Sequence, residues 1–157
     1  MKGEKANKQD ALSILKKDHG KVQKIFQDFD KAQDEATKQK LVETACNELT
    51  IHAQVEEEIF YPAARQALGD GKLLDEASVE HESAAQLINK LQEMQPGQGK
   101  YEAVFTVLGE YVNHHIKEEE DELFPKVKKS DLDLEALGQQ IMERKEQLKA
   151  GVGLASI

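Results

Sequence analysis

Apolar residues advance along this chain by threes and fours, the rhythm of helices that bury one face, and the pattern predicts five such helices. The first opens at Asp10, a plausible N-cap, and its stripe runs Leu12, Leu15, Val22, Phe26 and Phe29, with His19 filling the place between Leu15 and Val22. A polar connection over residues 31–36 leads to a second helix with Thr37 as its expected cap. Its stripe reads Leu41, Ala45, Leu49, His52, Glu56, Ile59 and Ala63, and Pro62 predicts a kink or an early end. A turn over residues 69–71 precedes the third helix, which starts near Lys72 with Leu74, His81, Ala84 or Ala85, Ile88 and Leu91 inward. It stops before Pro96-Gly97-Gln98-Gly99. The fourth runs from about Lys100 through Tyr101, Phe105, Leu108, Val112, His115, Glu119 and Leu123, with Pro125 again late in the helix. Ser130 or Asp131 is expected to cap a last helix bearing Leu132, Leu137, Ile141, Met142 and Leu148. Connections this short make consecutive helices antiparallel neighbours.

The polar exceptions on these buried stripes repeat. Ile51 to Pro62 (IHAQVEEEIFYP) is answered by His114 to Pro125 (HHIKEEEDELFP), so that His52, Glu56 and Pro62 correspond to His115, Glu119 and Pro125. Asp18-His19 is answered in the same way by Glu80-His81. A histidine and a glutamate four apart lie one turn above the other on a helix, so each copy offers an imidazole and a carboxylate to one point. A single pair of this kind is commonly a surface contact worth tenths of a kcal/mol. Four inward imidazoles and two inward carboxylates in one apolar core are strongly destabilising unless metal takes them up, and a pair of divalent ions would use all six. Nitrogen and carboxylate donors without thiolate suit iron, manganese or zinc, and two carboxylates able to bridge favour a dinuclear iron centre with positions left for small ligands.

Composition narrows the rest. One domain is expected from 157 residues, and 32% charged residues with no tryptophan fit an all-α chain. The division expected is a disordered segment over 1–9, a bundle over 10–128, a packed helix over 129–150 and a flexible tail over 151–157. A net charge of −9 argues against nucleic acid or an anionic membrane as partner. The single cysteine, Cys46, and a polar N-terminus lead to a cytoplasmic expectation. Two neighbours on the ligand face, Glu48 and Tyr111, are candidates to support the site. Cys46, beside inward Ala45, reads as a small packing residue.

The order of histidine, His-x-x-x-Glu, histidine, His-x-x-x-Glu, from His19 to Pro125, resembles the hemerythrin-like, or HHE cation-binding, domains. That resemblance implies an up-down-up-down four-helix bundle, to which the last helix is an addition. It also implies two iron ions, oxo- or hydroxo-bridged, with His19, His52, His81 and His115 as terminal ligands and Glu56 and Glu119 as bridges. The oxygen-carrying members have a fifth histidine where this chain has Ala85, and an aspartate five residues after the last histidine where this chain has Glu120. Binding, sensing or reaction with dioxygen, nitric oxide or peroxide is therefore expected, including peroxidase- or catalase-like turnover. The alternative is an iron-storage or iron-sensing module whose metal-dependent folding a partner reads.

Overall fold

A computed structural model describes residues 9–156. The expected segment 1–9 thus falls, apart from Gln9, outside the described residues. The architecture is all-α, with α1 over Ala11–Lys31, α2 over Glu35–Val55, α3 over Tyr61–Leu68, α4 over Lys72–Gln92, α5 over Tyr101–Glu118, α6 over Phe124–Lys128 and α7 over Leu134–Ser156. Two π-helical turns, Glu56–Phe60 and Glu119–Leu123, join α2 to α3 and α5 to α6 without a break, so the bundle has four long rods. Rod neighbours are α1 with α2, α2 with α4, α4 with α5 and α5 with α1, the closed ring of an up-down-up-down bundle. No helix among the described residues is long and apolar enough to cross a membrane.

Local chemistry sets the ends. Asp10 accepts from the Ser13 amide at 2.8 Å and opens α1 as expected. Asp34, not Thr37, caps α2: its carboxylate takes the Thr37 amide at 3.0 Å and the Thr37 hydroxyl at 2.8 Å. Thr37 is thus spent inside the first turn. Asp133, rather than Ser130 or Asp131, accepts the Ala136 amide ahead of α7 at 3.1 Å, while the Ser130 hydroxyl closes the preceding turn on the Val127 carbonyl at 2.6 Å. Gly69, at φ 73°, ends α3 in the left-handed conformation that glycine adopts without penalty.

Pro62 and Pro125 do not end their rods, which continue to Leu68 and Lys128. Each stands in the first turn after a π-turn, where the ladder has already shifted by one residue and the Tyr61 or Phe124 amide reaches back to the carbonyl of Glu56 or Glu119. Nor does the helix stop at Gly151, since α7 continues to Ser156. Met142, expected on the apolar stripe, is 43% exposed, because α7 packs on one side only.

The core is divided. At one end Leu12, Leu15, Phe60, Leu74, Phe124 and Val127 pack with Leu137 and Ile141 of α7. Towards the other end Val22, Phe29, Ala45, Ile88, Phe105 and Leu108 form a second cluster. His19, His52, His81 and Glu119 occur in sequence between members of the two clusters, as His19 does between Leu15 and Val22, and with Glu56 and His115 they make a polar layer across the bundle. Helix α7 lies against α1, α2 and the first π-turn. At Gly138 it comes so close to the start of α1 that a Cβ would fall 2.7 Å from the Gln9 carbonyl oxygen, so only glycine permits the crossing.

Candidate metal centre

All six inward residues converge. His19, His52, Glu56 and Glu119 bring ligand atoms within 4.8 Å of one another, and Glu56, His81 and His115 do the same. The two groups share Glu56, whose oxygens divide between them: Oε2 lies 3.3 Å from His52 Nε2, and Oε1 lies 3.0 Å from His81 Nε2 and 3.9 Å from His115 Nε2. Glu119 spans the gap likewise, Oε1 at 3.1 Å from His19 Nε2 and Oε2 at 3.3 Å from His115 Nε2. Glu56 and Glu119 are almost wholly buried, as are His19 and His52. The π-turns explain how two glutamates reach the axis at one level: each begins a turn that widens the helix just where it faces its counterpart.

Four carboxylates orient the imidazoles from behind. Asp18 accepts from His52 Nδ1 at 2.9 Å, Glu57 from His81 at 2.7 Å, Glu80 from His115 at 2.6 Å and Glu120 from His19 at 2.6 Å. An ionised carboxylate can only accept, so Nδ1 carries the proton in each ring and Nε2 is the atom turned to the centre. The pairing crosses the repeat: Glu57 of the first copy serves His81 of the second, and Glu120 of the second serves His19 of the first. Glu120, five residues after His115, thus orients His19 through a hydrogen bond to its ring. Of these residues the sequence signalled the Asp18 and Glu80 correspondence but not which histidine each serves, since neither bonds the histidine beside it in the chain.

Tyr61 was not anticipated. Its hydroxyl donates to Glu119 Oε2 at 2.5 Å, lies 3.0 Å from Glu56 Oε1, and sits 3.4 Å and 3.3 Å from His81 and His115 Nε2. The corresponding residue of the second copy is Phe124, which stacks on His19 with ring centroids 6.0 Å apart. Comparing the ends Tyr61-Pro62 and Phe124-Pro125 could have shown that one half holds a phenol and the other a bare ring. The two expected neighbours stand apart from the ligands. Glu48 is paired with Lys21 at 2.9 Å, and Tyr111, 51% exposed, stands at the rim of a cavity. Cys46 is buried, and burial followed by the Glu43 charge pushes its thiol up to about 12, consistent with a packing role.

Electrostatics tie the layer together. Burial works to lower the His52 pKa, but the charge of Glu56 and the Asp18 hydrogen bond outweigh it and raise it to about 10. For His115 burial is likewise overcome by the neighbouring Glu119, Glu56 and Glu80 carboxylates, reaching about 12. Burial alone would raise Glu56, yet His52, His115 and His81 hold it well below the usual carboxylate range. Tyr61 is driven well above 10 by burial and then by the charges of Glu56 and Glu119. The layer thus holds protons on nitrogen where a metal ion would supply positive charge. His52 Nε2 and Glu56 Oε2, fully buried, have no hydrogen-bond partner among the described residues. Two facing orphaned donors of ligand type fit a cation between them.

Beside the four imidazoles lies a cavity of about 60 Å³, whose remaining wall is chiefly apolar, with Val22, Leu49, Ala84, Ile88 and Val112. Neither Glu56, Glu119 nor Tyr61 lines it, so this cavity meets the centre on its histidine side; Glu119 lines a separate, smaller one with His115 and Leu123.

The family profile of the Hemerythrin HHE cation binding domain matches residues 10–127. Among solved structures, a hemerythrin HHE cation binding domain-containing protein of Mycobacterium kansasii superposes with a TM-score of 0.78 at 26% identity, covering 91% of this chain and 89% of that one. An uncharacterised hemerythrin-like protein of Schizosaccharomyces pombe is 31% identical over 115 residues, 72% of this chain and 57% of its own length. A protein of Nostoc sp. named as a DNA nickase is 27% identical over 118 residues, 73% of this chain and 32% of that protein. The chain thus matches only part of the length of either curated relative.

Proposed function

Because the chain belongs to the hemerythrin HHE cation-binding family, we propose that its polar layer holds two iron ions and that the pair binds, senses or reacts with dioxygen, nitric oxide or peroxide. The observation that carries this reading is the division of the Glu56 and Glu119 oxygens between two sets of imidazole Nε2 atoms. On it, His19 and His52 would hold one ion and His81 and His115 the other, with Glu56 and Glu119 available to both. Oxygen and nitrogen donors of this kind suit iron, which supplies one-electron chemistry and open positions for a small ligand. The chain's own residues do the rest. Asp18, Glu57, Glu80 and Glu120 fix each ring with Nε2 inward. Tyr61 donates its proton towards Glu119, holding a hydrogen-bond donor at the centre of the layer, with Phe60 and Phe124 buried alongside. The apolar cavity admits a molecule of two or three heavy atoms and offers little to a larger polar one.

The test is anaerobic loading with ferrous iron, metal analysis, and titration with oxygen, then nitric oxide, then peroxide, followed optically. Close to two irons per chain and a ligand-dependent spectrum are expected. A protein that retains no iron, or whose iron spectrum responds to none of the three, rules the reading out. Oxygen evolved through repeated peroxide additions without bleaching would mark turnover rather than binding.

A further inference from the structure

The two halves of the layer repeat, but what stands behind their carboxylates does not. Asp18 takes His52 Nδ1 on Oδ2 and, on Oδ1, the ammonium of Lys145 from α7 at 2.6 Å. Lys145 and Asp18 are both nearly buried, with side chains 12% and 10% exposed. Its counterpart Glu80 takes His115 Nδ1 in the same way, yet on its other side it meets Glu118 and the exposed His114, whose polar atoms cluster with its own within 4.8 Å. One orienting carboxylate is neutralised by a lysine; the other is crowded by a second carboxylate.

We propose that Lys145 is a positioning residue that acts through Asp18 on His52 and makes the two metal positions electronically unequal. The inference rests on the metal reading above and concerns which ion differs, and why. A carboxylate sharing its charge with an ammonium is a weaker acceptor, so His52 keeps more of its Nδ1 proton and donates less from Nε2. Glu80, whose nearby base is the exposed His114, 3.8 Å away and itself closer to Glu118 at 3.2 Å, polarises His115 more. The ion on the His19 and His52 side is therefore held less tightly and is the more easily reduced. The added helix is thereby wired to one ion: the segment outside the four-rod bundle sets the asymmetry that the repeated ligands lack.

Lys145→Met removes the charge while keeping the stem against the bundle. Docking of α7 does not depend on it alone, since Arg144 clasps Glu58 at 2.7 and 3.3 Å and Leu137 and Ile141 are buried. In metal-free protein the His52 Nδ1 proton resonance should move downfield in Lys145→Met while that of His115 stays in place, and Lys145→Arg should restore it. An unmoved His52 resonance, or all four histidines moving together as α7 lets go, overturns the link. In iron-loaded protein the two reduction steps should draw together because the easier one becomes harder, and the weaker site should tighten by about tenfold, the low end of effects transmitted through a ligand's hydrogen-bond partner. A lysine that merely props the helix would weaken binding instead. Unchanged spacing of the two steps also overturns the proposal. If the parent binds no iron pair, the proposed function fails, and the metal-free resonances still decide whether Lys145 acts on His52.

Discussion

At the scale of single residues, the roles of Glu119 and Glu120 separate cleanly although they are adjacent. Glu119 faces Nε2 atoms of two histidines, so Glu119→Ala, like Glu56→Ala, is expected to abolish paired iron binding, as read by metal analysis and loss of coupled-iron signals. Glu120 grips His19 only from behind. Glu120→Ala should keep two irons at saturation while lowering affinity by roughly 10–100-fold, the usual effect of losing a partner that orients a ligand. Retention of the pair in Glu119→Ala with its loss in Glu120→Ala would reverse the assignment. Tyr61→Phe removes the buried hydroxyl donor shared by Glu119 and Glu56 and should cost metal-free protein about 1–3 kcal/mol in urea unfolding; no change would mean that the hydroxyl bond adds nothing. The six inward residues were legible because each interrupts an apolar stripe. Glu57 and Glu120 were not, since the stripe marks the inward glutamate of each run but gives no sign of which neighbour orients a distant ring and which meets solvent.

At the scale of elements, what the helical rhythm concealed was the change of pitch. A period of threes and fours tolerates one extra residue, so neither π-turn disturbed the stripe enough to be noticed, and the prolines after them looked like stops. A π-turn is a one-residue insertion that weakens local hydrogen bonding and survives mostly where function needs it. Here each presents a glutamate to the axis. Deleting Asp121, which is exposed and pairs only with Lys117 along the surface, should convert the second turn to ordinary helix while Val112, Leu123 and Val127 keep their partners. The expected result is a metal-free melting temperature equal to or above that of the parent, by circular dichroism, together with loss of paired iron. Loss of folding with loss of metal would show that the turn serves packing instead. The caps of α2 and α7 were missed for a smaller reason: aspartate stands near threonine at the first start and near serine and a second aspartate at the other, and only backbone geometry decides which one stands at the boundary.

At the scale of the whole molecule, the polar layer couples stability, protons and metal. Without metal, His52 and His115 are held protonated in the folded chain up to about 10 and about 12, whereas an unfolded histidine gives up its proton near 6.5. Their contribution is therefore fully present below pH 6.5 and is lost as pH rises through those higher values. Glu56 runs the other way: depressed in the folded state by the imidazolium charges, it adds stability above pH 4.5 and loses it as pH falls. Metal-free protein should thus be most resistant to urea between about pH 4.5 and 6.5, a window set by these two directions. Iron reverses the preference, because it needs Nε2 without its proton. Loading at pH 7 in weak buffer should release protons, apparent affinity should rise with pH, and the loaded protein should melt higher than the metal-free one by a margin that widens towards alkaline pH. A loaded protein whose margin over the metal-free form stays flat from pH 5.5 to 8.5, with no protons released, would mean that metal and protons do not compete for these nitrogens, and that the ligand set lies elsewhere in the bundle.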